Sequence, residues 1–354
     1  MIKKNYKNYY KVLFKLLIVF LFLITNNSIA NAKLIDYIFF KDTFNGKKIN
    51  CHAIKVDLNH PFVKIDLALA YNNTNRRETV KSMAKRTGAL VAINGSFFHS
   101  RRGIDSVVGL LISNNIVLAD SGHRRTSLGI TEDRKIIIGI PKIRNILVLP
   151  ELGKVFKING INQIRGNKHL TIYNRYFGTH TRTNKLGREI LVDKNNMIVA
   201  YKIKNSPIPQ GGFVISIDKA GSEIAEEFPL GARVYIDSIR EAEWKNVRTL
   251  ITGSPQLVKN GKIYNTFFKE KLNPSIKYPA QRSAIGLTHN NKFIMLTAIG
   301  KLTLTKLAQI MKRLGCIEAL ALDGGGSVDL YMKGKNITNN NRPVTNSIIV
   351  RLEN

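Results

Sequence analysis

Acidic residues are scarce in this 354-residue chain: 24 Asp and Glu stand against 55 Lys and Arg, a net charge of +31. That imbalance excludes an acidic disordered chain and favours anionic surroundings or an anionic ligand. Nucleic acid is the reflex partner of a basic chain. Here the charge is spread along the sequence rather than gathered into one stripe, and no nucleic-acid motif is present, so nucleic acid is set aside. Cysteine is rarer still. Cys51 and Cys316 cannot make a disulfide framework, and a single bridge between them stays open, because thiols also serve as small buried apolar groups. The seven histidines show neither HxxxH nor HxH spacing, which argues against zinc. Past the N-terminus, no apolar run is long enough to cross a bilayer.

The N-terminus itself has three parts. Lys3, Lys4, Lys7 and Lys11 precede the apolar run Leu16 to Ile24, and polar residues then lead into Ala30-Asn31-Ala32. A basic start, an apolar middle and an A-x-A ending describe a secretory signal peptide over residues 1–32. Residues 33–354 are then expected to be exported, periplasmic or extracellular, with no stable membrane insertion after cleavage. Their number suits one large or two small domains.

Strand patterns dominate what remains. Between Ile49 and Ala70 apolar residues alternate, with Asn59-His60-Pro61 as a turn. Val80, Met83, Ala84 and Thr87 have helical spacing, closed by Gly88; an apolar strand to Ile93 then runs into Asn94-Gly95-Ser96. Short strands follow over 109–138, turning at Asn114-Asn115 and Asp133-Arg134. A strand-rich middle segment at about 140–240 is broken by Pro207, Pro209 and Gly211-Gly212. Leu304, Leu307, Ile310, Met311 and Leu314 make the clearest amphipathic helix, with Thr303 before it and Gly315 after it. The expected fold is α+β: a strand-rich mixed sheet core with two main helices. Two internal echoes add an expectation of pseudo-symmetry. Met83–Gly88 with its strand and Asn94-Gly95-Ser96 resembles Ile310–Gly315 with its strand and Asp323–Ser327. Residues 125–131 likewise resemble 282–288.

The segment that demands chemistry is Leu322-Asp323-Gly324-Gly325-Gly326-Ser327. Consecutive glycines are entropically expensive to order. Their amides can turn together towards one anion, with Ser327 adding a hydroxyl, while Asp323 is held rigidly at the end of a buried strand. The plain alternative is a tight turn in which Asp323 caps its own backbone. Arg282, at the mouth of a strand, and Arg342, stiffened by Pro343, carry planar forks suited to phosphate or carboxylate.

Four motifs in order resemble the phosphodiester glycosidase family. They are Ala92-Ile93-Asn94-Gly95-Ser96-Phe97-Phe98, Arg282-Ser283-Ala284-Ile285-Gly286, Leu322–Ser327, and Asn341-Arg342-Pro343-Val344-Thr345-Asn346. Thr252-Gly253-Ser254-Pro255-Gln256-Leu257 and Ile208–Gly212 extend the resemblance from about Ile49 to the C-terminus. It implies a hydrolase that cleaves the glycosidic bond of a sugar-1-phosphodiester in an envelope or extracellular glycan. Asp323, Arg282 and Asn94 would be catalytic; Gly324, Gly325, Gly326, Ser327, Arg342 and Asn346 would bind substrate. Because a phosphate ester already leaves well, the site needs mainly to stabilise the departing anion and an oxocarbenium ion. Asp323 would stabilise the sugar cation, attack as nucleophile or activate water; the sequence does not choose. No cofactor is certain, though Asp323 and Asp329 are placed to help a divalent cation. Glu318, inside the preceding strand, reads as outward-facing.

Two departures from the family pattern stand out. Ser96 replaces a common second glycine, which preserves the turn unless that position needs positive φ. Residues 99–103 are unusually basic. The rival reading is a non-catalytic envelope module that binds anionic glycans through the same cradle.

Overall fold

A computed structural model describes residues 34–167 and 169–353; the segment read as a signal peptide lies outside them. Strands dominate, as expected of an α+β chain. The alternating residues after Ile49 form Lys47–Asp57 and Val63–Leu69. Helical spacing yields Val80–Arg86, where the Thr79 hydroxyl accepts from the Ser82 amide at 3.2 Å. Leu304–Arg313 begins in the same way, with the Thr303 hydroxyl accepting from Lys306 N–H at 3.3 Å. It ends before Gly315, whose φ of +86° favours glycine.

Each helix buries one face on a different sheet. Leu304–Arg313 packs Leu307, Ile310 and Met311 against Ile294, Leu296 and Ala319 of a seven-stranded antiparallel sheet. Val80–Arg86 packs Val80, Met83 and Ala84 against Ala92, Tyr331 and Ile349 of a five-stranded sheet. The other faces of the two sheets meet. Ile54, Val56, Ile285 and Phe293 from one interleave with Ile65, Leu67, Ile93 and Val350 from the other in the largest apolar cluster. The order is therefore helix, sheet, sheet, helix, with the core between the sheets.

A ten-stranded sheet continues from this core. Its strands Ser127–Thr131 and Val247–Thr252 contribute Leu128, Ile130 and Ile251 to the shared cluster. Its far strands, with a three-stranded sheet of Lys154–Lys157, Ile143–Leu149 and Tyr235–Arg240, enclose a separate cluster that includes Leu147, Ile190 and Phe228.

The echoed segments adopt like local structures. In both hairpins a threonine hydroxyl closes the turn, accepting the amide four residues on: Thr131 from Lys135 at 2.9 Å and Thr288 from Lys292 at 3.0 Å. Arg134 and Asn291 take the left-handed position in each, at φ +65° and +57°. The two helix–strand units lie in different sheets, yet their strand ends meet, as described below.

Cys51 and Cys316 are both buried and free. Two strands separate theirs in the sheet order, roughly 14 Å at ~4.8 Å per strand. A bridge needs Cα atoms within about 7 Å, so none forms. Among the described residues no helix is long and apolar enough to cross a membrane.

Candidate active site

Strand pairing explains why distant motifs converge. In the five-stranded sheet Ser347 opposes Asn94, so Val91–Asn94 ends where Asn346–Leu352 begins. In the seven-stranded sheet Ala284 opposes Ala321, so Cys316–Ala321 ends beside the start of Ala280–Thr288. These two ends face each other across the edge of the core. Asp323 N–H donates to the Gly95 carbonyl at 3.1 Å, and the Leu322 amide donates to the Ser283 carbonyl at 2.9 Å.

Asn94 is the clamp between the sheets. Fully buried, it donates through Nδ2 to the Asp323 carbonyl at 2.8 Å. Its Oδ1 accepts from the Ser283 hydroxyl at 2.6 Å and from the Asp329 amide at 3.2 Å. One side chain thus ties three of the four motifs. Asn346 frames the next turn: its Oδ1 accepts the Ser96 amide at 3.0 Å and its carbonyl accepts the Gly95 amide at 3.0 Å. A Cβ on Gly95 would overlap that Oδ1, which is why glycine stands there. Ser96 is not among the positive-φ residues, so serine serves the turn as well as glycine would. Both asparagine amides therefore meet protein partners, and the side chains that frame the turn are buried beneath it.

The turn itself presents Asp323. Gly325–Ser327 make a short 3₁₀ turn, with Gly325 at φ +61°. The Ser327 and Val328 amides bond back to Gly324 and Gly325, while those of Gly325 and Gly326, first in the turn, have no preceding turn to bond. The Gly324 amide and the Ser327 hydroxyl instead bond the Asp323 carboxylate, so Asp323 does cap its own backbone. Of the three glycine amides expected at a ligand, Asp323 takes that of Gly324, which leaves those of Gly325 and Gly326.

Guanidinium groups flank the glycines on both sides. A Cβ on Gly324 would lie 3.3 Å from Arg282 Nη1, and one on Gly326 would overlap Arg342 Nη1. Arg282 is buried and tethered: Nη2 donates to the carbonyls of Ile276 at 2.6 Å and Tyr278 at 2.7 Å. Arg342 is exposed and is placed through Asn340, whose Oδ1 accepts the Arg342 amide at 3.1 Å. Asn340 Nδ2 in turn donates to the carbonyls of Gly326 and Val328 at 2.7 and 2.8 Å.

Burial pushes the Asp323 carboxyl up to about 6, against the lowering pull of Ser327, the Gly324 amide and both arginines. Desolvation of its guanidinium lowers Arg282, and Asp323 partly restores it. The result is a half-buried acid near neutrality beside two cationic forks and two free amides. Such a constellation can hold an anion and move a proton next to it.

Other candidates lie elsewhere. Asp329 is buried and its carboxylate accepts from the Leu330 amide and from Thr338 and Asn336. Glu318 accepts from Gln256 Nε2 at 2.8 Å and the Asn260 amide at 2.8 Å, facing away from the turn. His99 is exposed on the hairpin that follows Ser96. Among the described residues no three His, Cys, Asp or Glu side chains stand together as metal ligands would. Sequence reasoning missed Ser283, Asn340 and the Ile276–Tyr278 loop. Of these, Ser283 lies within a quoted motif, whereas Asn340 sits in a run of asparagines that carries no pattern.

Residues 187–351, just under half of the chain, match the family model described as phosphodiester glycosidase. An uncharacterized protein of Rickettsia conorii is 27% identical over 223 residues, 60% of this chain and 76% of its own length. The fold resembles a hypothetical protein from Synechocystis with a TM-score of 0.80 at 20% identity, covering 90% of this chain. This chain spans 62% of the length of that protein. It also resembles the zebrafish N-acetylglucosamine-1-phosphodiester alpha-N-acetylglucosaminidase catalytic domain, auto-inhibited by its pro-peptide. There the TM-score is 0.51 at 15% identity, over 91% of this chain and 85% of that one. At these identities the two structures speak for the fold.

Proposed function

We propose that this protein is an exported hydrolase that cleaves the glycosidic bond of a sugar-1-phosphodiester. One observation carries the reading: a single half-buried carboxyl, raised to about 6, stands beside a glycine turn flanked by Arg282 and Arg342. The family match over residues 187–351 supports the reaction class. Arg282, Arg342 and the amides of Gly325 and Gly326 bind the phosphate and stabilise it as it leaves. No proton need be given to such a leaving group, so Asp323 is free to serve as base towards water, a role suited to a carboxyl near 6. Asn94, Asn346 and Ser327 hold this geometry rather than touch the reacting atoms. Export rests on the N-terminal pattern of residues 1–32.

The test is hydrolysis by the purified mature chain of a panel of glycosyl-1-phosphodiesters, with and without chelator, alongside Asp323→Asn. Turnover of at least one diester, lost in the variant while binding is retained, is expected. Turnover that persists in the variant, or none with the intact chain, overturns the proposal.

A further inference from the structure

The basic stretch 99–103 forms a hairpin, Phe98–Arg101 paired with Ile104–Val107. Its base lies at the active site: Val108 N–H donates to the Phe97 carbonyl at 2.8 Å, directly after Ser96. Its tip reaches about 10–13 Å further, at ~3.3 Å per residue. There it borders a cavity of about 150 Å³ that three arginines line: Arg102 from the tip, Arg165, and Arg182. Ile104, Ile164, Tyr173, Thr181, Thr183 and Asn184 complete the wall, and no carboxylate lines it.

The three cations are held differently. Arg165 is fixed, with Nη1 donating to the Ser216 hydroxyl at 2.9 Å and Nη2 to the Leu186 carbonyl at 2.6 Å. Arg182 reaches across to the tip, its Nη2 donating to the Gly103 carbonyl at 3.2 Å. Arg102 and Arg182 both sit in left-handed backbone, φ +54° each, where a long side chain has no conformational advantage. Glu189 lies one layer behind, its oxygens taken by the hydroxyls of Thr181, Thr183 and Ser216 and the Ser206 amide. Three guanidinium groups thus share one wall with a single carboxylate behind it, and a bound dianion offsets the repulsion that remains.

We infer that this cavity is a second phosphate subsite, and that the substrate is a sugar–phosphate chain with at least two phosphates rather than a single diester. The extension to substrate rests on the proposed role of Asp323; the anion binding does not. Catalysis then takes place at one phosphodiester while the tip of the hairpin holds another along the same chain.

Titration with inorganic phosphate, followed through the arginine Nε–Hε resonances, tests the subsite. Saturable shifts of Arg102, Arg165 and Arg182 are expected, and Arg102→Gln weakens binding about tenfold, the loss of one charge-assisted contact of roughly 1.4 kcal/mol. Absence of shifts at these arginines overturns the subsite. Kinetics test the extension: the ratio of KM for a one-phosphate to a two-phosphate substrate falls about tenfold in Arg102→Gln. Equal KM values for both substrates in the intact protein overturn the chain-length inference. Phosphate shifts without turnover of any diester sink the catalytic reading and leave the anion site standing.

Discussion

Replacing Asp323 by Asn should abolish activity and make the protein more stable above about pH 6. The carboxyl moves from an ordinary 3.8 in the unfolded chain to about 6 in the fold, because burial disfavours its charge. A folded value above the unfolded one means the native state binds more protons between these limits. Stability from this group is therefore highest below about pH 4 and falls as pH rises to about 6. Two units correspond to roughly 3 kcal/mol at ~1.4 kcal/mol per unit. Asp323 is partly open to water, and a neutral asparagine oxygen accepts from the Ser327 hydroxyl and the Gly324 amide more weakly than a carboxylate does. Both points reduce the gain to about 1–2 kcal/mol.

Urea unfolding of the intact chain and of the variant at pH 4 and pH 7.5 reads this directly. With a slope of about 3 kcal/mol per molar, the variant's midpoint should rise by roughly 0.3–0.7 M at pH 7.5 and hardly move at pH 4. Activity of the intact protein should fall as pH drops through about 6, as the base is protonated. A variant less stable at pH 7.5 than at pH 4, relative to the intact protein, would refute the reasoning, because it would mean that the ionised carboxylate is welcomed by the fold.

Asn94→Ala removes three hydrogen bonds at a fully buried position; a loss of about 2–4 kcal/mol in chemical unfolding is expected, and unchanged stability would contradict the clamp. Gly95→Ala and Gly326→Ala should differ in kind. The first drives a Cβ into the buried Asn346 and should lower stability sharply; the second meets only the mobile end of Arg342 and should lower activity while leaving the unfolding midpoint nearly in place. Burial pushes the Cys51 and Cys316 thiols up to about 11 and about 12. Neither should react with a thiol reagent until the chain unfolds, and fast labelling of the native protein would show that the strands open locally.

How far the sequence led depended on the range of each interaction. Both helices could be read because their signals are local: Thr79 and Thr303 cap within three residues, and Gly88 and Gly315 close the far ends. The Asp323 turn could be read because consecutive glycines are unusual at a strand end. What escaped was pairing across the chain. Asn94 is expected to be catalytic only through the family resemblance. Its partner Ser283 is 189 positions away, and nothing near Asn94 announces the bond that buries it. Arg282 looked like a free fork, yet the Ile276 and Tyr278 carbonyls tether it through a loop with no distinctive pattern. The disulfide question was settled by strand order alone.

That tether bears on why the acid remains usable. An arginine free to fold onto Asp323 would form an ion pair, and its charge would draw the carboxyl below its ordinary range. Arg282 and Arg342 instead act on Asp323 through space, while its hydrogen bonds go to Ser327 and Gly324. The bonds from Arg282 to Ile276 and Tyr278 keep one guanidinium beside Gly324, and Asn340 holds the backbone that carries the other. Separation preserves both functions: the acid stays near neutrality, and the cations stay available for an anion that does not belong to the protein. In a chain with more than twice as many basic as acidic residues, keeping a carboxylate and an arginine apart requires specific bonds, supplied here by the Ile276 and Tyr278 carbonyls and the Asn340 side chain.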